Sequence, residues 1–186
     1  MEDVFYWPAH RVAAAIRSRE VSASDYLEAL LERVQSRGAA IQCVVTVDAE
    51  RARREAADAD EAVRNGERLG PLHGVAMTIK DSFETAGMRT TSGSPALAEH
   101  VPARDAVAVA RLRAAGAIVF GKTNLPLFAG DSQSYNEVFG TAHNPWDPAR
   151  SPGGSSGGAA GALAAGLTPL ELGSDCLLYT SPSPRD

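Results

Sequence analysis

Apolar and polar positions follow helical spacing through the first third of the chain. Residues 8–19 predict one helix, and Ser22-Ala23-Ser24-Asp25 predicts the start of another. Ser22 is a side chain that caps well, and Asp25 puts negative charge in the first turn, where the helix dipole favours it. Leu27, Leu30, Leu31 and Val34 then fall at i, i+3, i+4 and i+7, which defines one buried helical face. The pattern changes at residues 41–47, a short stretch rich in β-branched side chains that predicts a strand. Ala49, Ala52, Ala56, Ala59 and Val63 mark the apolar side of a charged, alanine-rich helix that ends near Asn65-Gly66.

Beyond that point the order is strand, loop, helix, strand. Gly70-Pro71-Leu72-His73-Gly74 forms a turn into an apolar strand at 75–79, with Lys80 at its carboxyl end. Residues 81–103 have loop character. A helix follows over 105–115, stopped by Gly116, and a strand at 117–120. This order indicates an α/β domain, in which ligand-facing residues collect at the carboxyl ends of strands. Residues 125–147 are polar and irregular, with a turn at Asn144-Pro145-Trp146-Asp147-Pro148. Residues 159–165 predict an alanine-rich helix, and 170–172 the start of a further strand. The expected organisation is a helical part over 1–65, an α/β part over 66–175 and a tail over 176–186. That tail, Cys176-Leu177-Leu178-Tyr179-Thr180-Ser181-Pro182-Ser183-Pro184-Arg185-Asp186, has neither period. It resembles adapter-derived, non-native sequence joined to a truncated reading frame; a disordered Ser/Pro tail is the alternative.

Composition narrows the function classes. At 186 residues with 44% hydrophobic and 22% charged content, the chain has what one sizeable core requires. A net charge of −5 with scattered basic residues gives no electrostatic footprint for nucleic acid. No apolar run reaches the roughly 18 residues of a membrane span. The first ten residues lack a basic segment followed by an apolar one, so a cytoplasmic location is expected. Cys43 and Cys176 are too few for a disulfide framework or a metal cluster, and neither metal nor cofactor is expected.

The candidate chemistry lies in Ser151-Pro152-Gly153-Gly154-Ser155-Ser156-Gly157-Gly158 and in Lys80. The glycine–serine loop has three readings: a flexible linker, an anion cradle at a helix N-terminus, or a catalytic loop. It lacks the Gly-Lys-Ser/Thr ending of a nucleotide-binding loop. Lys80 either faces solvent, pairs with an acid such as Asp81, or is desolvated so that its neutral amine can accept a proton. A serine hydroxyl is a weak nucleophile until a base takes its proton, which links the two motifs. His73 in its turn, Cys43 within apolar neighbours, Trp146 packing its turn and Lys122 as a loop anchor are expected to be structural.

Gly70-Pro71-Leu72-His73-Gly74-Val75-Ala76-Met77-Thr78-Ile79-Lys80-Asp81-Ser82 resembles the lysine-bearing segment of the amidase signature family. Gly121-Lys122-Thr123-Asn124, then Phe139-Gly140-Thr141 through Asn144-Pro145-Trp146-Asp147, resemble its following blocks, and residues 151–158 with the next helix resemble the signature. The likeness runs in order over residues 4–175 and covers the N-terminal portion of the family's domain, well under half. Ala76 stands where proline is common, and Leu127 where an acidic residue is common in some relatives. The resemblance implies the N-terminal part of a mixed sheet covered by helices on both faces. It also implies a Ser–cis-Ser–Lys triad that hydrolyses carboxamide C–N bonds of a small-molecule amide through an acyl-enzyme. By motif, Lys80 is the general base, Ser155 the bridging serine joined through a cis peptide, and Ser156 a supporting hydrogen-bond donor, with Gly153 and Gly154 shaping the loop. Asp131, Gln133 and Tyr135 are implied on the substrate side.

Leu172-Gly173-Ser174-Asp175 resembles the start of the family's nucleophile block, in which the serine lies four positions after the aspartate. That position holds Tyr179, and Cys176, Leu177 and Leu178 replace the isoleucine and two glycines before it. The chain as written is therefore expected to lack the nucleophile and to be inactive. Two alternatives stand beside a hydrolytic amidase fragment. One is a fragment of a glutamine-dependent aminoacyl-tRNA amidotransferase A subunit, although residues 131–139 look closer to the free amidases. The other is a non-catalytic protein that binds an anion or amide in the glycine–serine loop.

Overall fold

The structure, a computed structural model, describes residues 4–175. After a 3-10 turn (Val4–Tyr6), helices α1 (Ala9–Arg17) and α2 (Ala23–Arg33) lead through a π-helical turn (Val34–Gly38) into the short α3 (Ala39–Ile41). Strand β1 (Val44–Val47), helix α4 (Ala49–Asn65) and strand β2 (Ala76–Lys80) follow, then α5 (Val107–Ala114) and β3 (Ile118–Thr123). A two-stranded hairpin, β4 (Tyr135–Asn136) and β5 (Gly140–Thr141), precedes α6 (Gly157–Ala164) and β6 (Glu171–Leu172). The main sheet has the order β1-β3-β2-β6, with β1 antiparallel to β3 and the β3-β2-β6 pairs parallel.

Local signals account for the first helices. The Ser22 Oγ accepts from the Asp25 amide at 2.9 Å and caps α2 as its sequence predicts. Tyr26, Leu27 and Leu30 are buried in a core shared with Val12 and Ile16 of α1 and with Ala52, Ala56, Ala59 and Val63 of α4. This core lies on the sheet through Ala76, Ile118 and Phe120, and each large aliphatic side chain in it contributes about 1.5–3 kcal/mol. The opposite face, Met77, Ile79 and Val119, packs on Val109 of α5 and on Met88. Helices therefore cover both faces of a mixed sheet, the architecture the resemblance implies.

Two of the boundaries that differ from expectation have a clear physical cause. Ile41 closes a helical turn instead of opening a strand, because Gln42 adopts a left-handed conformation (φ 48°) that breaks the chain's course before β1. Strand β3 runs on through Lys122 and Thr123, since pairing with β2 continues as far as Lys80↔Thr123. Buried Arg33 ties α2 to the end of α6 by donating from Nε to the Ala165 carbonyl at 3.0 Å.

Candidate active site

Strand β2 is one of the sheet's two inner strands and delivers Lys80 from its carboxyl end into the protein, where the residue is fully buried. Its amine donates to Ser155 Oγ at 2.6 Å, Ser156 Oγ at 3.0 Å and Ser174 Oγ at 2.9 Å, and approaches the Ser174 carbonyl at 3.3 Å. A lysine amine among serine hydroxyls, withdrawn from water, is a proton-exchanging arrangement.

The serines are held there by the turn into α6. The Gly154–Ser155 peptide is cis, as the resemblance implies for the bridging serine. A Cβ on Gly154 would stand 2.5 Å from the Ser132 carbonyl carbon, so the loop can lie against residues 131–133 only with glycine at this position. Gly158 is constrained in the same way, since its Cβ would meet the Asn124 backbone at 2.4 Å, which sets how closely α6 approaches the end of β3. Ser134 fastens the loop from outside: its hydroxyl donates to the Gly153 and Ser155 carbonyls at 3.2 and 3.3 Å and accepts from the Gly157 amide at 2.9 Å. Ser156 couples the loop to the last described segment. Its hydroxyl accepts from the Ser174 amide at 3.1 Å and donates to the Ser174 carbonyl at 2.9 Å.

The residues singled out from sequence, Lys80, Ser155 and Ser156, thus converge, with Gly153 and Gly154 forming the turn beneath them. Sequence reasoning missed Ser134, Ser174 and Glu171. Ser174 stands in the quoted Leu172-Gly173-Ser174-Asp175 block, and its closeness to Lys80 depends on the β2–β6 pairing. Tyr179, at the position where a nucleophilic serine is expected, lies outside the described residues.

A second buried lysine occupies the other face of the sheet. Lys122 is fully buried and donates to the Phe83 carbonyl at 2.7 Å, Thr90 Oγ1 at 2.8 Å and Thr85 Oγ1 at 3.1 Å, with Asp81 Oδ1 3.8 Å away. Burial pulls the Lys122 amine down to about 8, against the opposing pull of Asp81, and raises the Asp81 carboxyl against the bonds it accepts from Thr91. Lys122 is a loop anchor, and it holds residues 83–90 to the sheet.

His73 bonds the Ala59 carbonyl at 2.9 Å through Nε2, and Cys43 is a core residue whose thiol burial pushes up to about 12. Trp146 departs from expectation, being 79% exposed. Its turn is held by Asn144 and Asp147, whose side chains accept from the Trp146 and Ala149 amides, so the ring is not needed to pack it. Asp131 and Tyr135 border a groove of about 540 Å³ with Leu127 and Pro95; Gln133 does not line it.

The mixed sheet thus brings a buried lysine to adjacent serines in a glycine loop. The profile of the Amidase family matches residues 25–176, and the chain belongs to that family. It is 45% identical over 175 residues to the A subunit of a glutamyl-tRNA(Gln) amidotransferase from Acidothermus cellulolyticus, covering 94% of this chain and 35% of that protein. It is 42% identical over 175 residues to an acylamidase of Rhodococcus erythropolis, covering 94% and 37%. Among solved structures, a 6-aminohexanoate cyclic dimer hydrolase superposes with a TM-score of 0.81 at 34% identity, covering 91% of this chain and 34% of that one. The chain spans about a third of the length of the relatives it matches. Among the described residues, no helix is long and apolar enough to cross a membrane.

Proposed function

We propose that this chain carries the proton-relay half of a serine–lysine amide hydrolase, with Lys80 as general base and Ser155 as the bridging hydroxyl. The observation that carries the reading is the 2.6 Å contact between Lys80 Nζ and Ser155 Oγ inside a buried site. In this reading the neutral amine takes the Ser155 proton as Ser155 takes one from the nucleophilic serine. That serine adds to the amide carbonyl, and the same relay returns a proton to the departing amine before water cleaves the acyl-enzyme. Ser156 and Ser174 supply the remaining partners that fix the amine's direction. The substrate is a small carboxamide, as the names of the acylamidase and cyclic dimer hydrolase relatives support.

The test is amide hydrolysis by the intact gene product with Lys80→Ala and Ser155→Ala. Each is expected to lower kcat by about 10²–10⁴, the usual worth of general acid–base catalysis. A Lys80→Ala enzyme that keeps wild-type kcat overturns the assignment. The 186-residue chain itself, with Tyr179 in place of the serine, is expected to take no label from a fluorophosphonate; stoichiometric labelling of one serine contradicts that.

A second reading is favoured by the glutamyl-tRNA(Gln) amidotransferase A subunits among its relatives. The same relay would then release ammonia from glutamine for a partner subunit. Ammonia release from glutamine by the intact gene product, without turnover of simple aryl or alkyl amides, selects this reading.

A further inference from the structure

Glu171 is the one carboxyl on β6, which pairs with β2 in the register Thr78↔Glu171 and Ile79↔Leu172. Side chains alternate along a strand, so Thr78 and Lys80 rise from the same face of β2, and Thr123, opposite Lys80 in register, rises from that face of β3. The Glu171 side chain crosses this face. One oxygen accepts from Thr78 Oγ1 in a very short hydrogen bond, and the other accepts from Thr123 Oγ1 at 2.8 Å, one strand farther on. The carboxyl is therefore clamped at both oxygens under the lysine that reaches Ser155.

We infer that Glu171 is a positioning residue for Lys80, a carboxyl held by Thr78 and Thr123 whose charge decides how strongly the Lys80 amine holds its proton. This rests on the reading of Lys80 as the base.

The surroundings define which other charges act on the carboxyl. Two cations act on Glu171, Lys122 from β3, on the opposite face of the sheet, and Lys80 from β2, on the same face. Helix α6, Gly-Gly-Ala-Ala-Gly-Ala-Leu-Ala, covers the sheet here without any ionisable side chain. The acids that act on Lys122 are Asp81, Glu171 and Asp105, with Asp81 foremost. Burial pushes the Glu171 carboxyl up to about 8, while the bonds from Thr78 and Thr123 and the two lysines pull it down. The residue keeps some exposed surface, yet its carboxyl is enclosed, which is why burial outweighs the rest. Glu171 therefore changes charge within the pH range in which an amide-hydrolysing lysine must exchange a proton. An ionised Glu171 favours the ammonium, and a protonated one favours the free amine.

The experiment uses the fact that Lys80 and Lys122 are the two lysines of the chain. The 186-residue protein, labelled with ¹³C-lysine, gives two ε-methylene signals that are followed by NMR from about pH 6 to about pH 11. In the wild type the Lys80 signal is expected to show, besides its own step, the step of Glu171. In Glu171→Gln that second step disappears and the Lys80 midpoint moves down by about one pH unit. Glu171→Asp keeps the charge and stays closer to wild type. Coincident Lys80 midpoints in wild type and Glu171→Gln, with only the melting temperature changed, overturn the inference and leave Glu171 a structural residue. If Glu171→Gln does not fold, a wild-type Lys80 signal without a Glu171 step overturns it as well. Failure of the underlying reading looks different: Lys80 then stays charged throughout in wild type and variants alike.

Discussion

Lys80 and Lys122 leave neighbouring strands of one sheet, both fully buried, and enter opposite surroundings. Lys122 is enclosed by a carbonyl, two threonine hydroxyls and the Asp81 carboxylate, all from the loop it fastens or the strand end beside it. Lys80 is directed at serine hydroxyls carried by a glycine turn and by the segment after β6. A buried cation facing a carboxylate is neutralised and serves to hold structure. A buried amine facing hydroxyls has partners with which it can exchange protons. Burial therefore does not by itself distinguish the two lysines; the chemistry of what each one faces does.

The comparison breaks most sharply under substitution of the lysines themselves. Lys122→Met leaves Asp81 buried without its cation and is expected to cost about 3–5 kcal/mol in urea unfolding. Lys80→Met leaves serine hydroxyls and the Glu171 carboxyl, which Thr78 and Thr123 still bond and which burial favours in its neutral form, and is expected to cost clearly less. Equal losses would mean that the two sites are held by the same forces.

pH separates them next. The Glu171 carboxyl, near 4.5 unfolded and about 8 folded, is protonated longer in the native state, so its contribution is largest below about 4.5 and is lost as pH rises to about 8. Lys122, near 10.5 unfolded and about 8 folded, loses its proton earlier in the native state, so stability is regained between about 8 and 10.5. Melting temperature is expected to fall toward pH 8 in wild type, and the fall to be reduced in Glu171→Gln. An unchanged profile would place Glu171 outside both lysine networks.

Smaller effects test the scaffold common to both. Gly158→Ala puts a methyl group 2.4 Å from the Asn124 backbone and is expected to cost about 1–3 kcal/mol, with the Lys80–Ser155 contact disturbed before the Lys122 cage. Ser22→Ala removes the α2 cap, far from both lysines, and is expected to cost about 1 kcal/mol while leaving both titrations unchanged.

Much of the fold could be read in the chain because its causes are local. Ser22 caps the helix it precedes, Ala52, Ala56, Ala59 and Val63 form one helical stripe, and the apolar run before Lys80 becomes β2. Ile41 escaped the reading because a single left-handed residue, Gln42, redirects the backbone there, and β-branched content does not report that. Trp146 escaped it because Asn144 and Asp147 already close the turn by hydrogen bonding. The Lys80, Ser155 and Ser156 candidates were visible as residue types in company, a lysine after an apolar strand and paired serines among glycines.

The sequence by itself determined the family, the element order and the candidate residues for proton exchange, because these depend on spacing and side-chain chemistry along the chain. The tertiary structure alone decided which lysine meets serines and which meets an aspartate. It also brought Ser134 and Ser174 to the loop and laid Glu171 beneath Lys80. Those relations arise from strand register and alternation of faces between segments as many as 94 residues apart, a proximity created only when the sheet assembles.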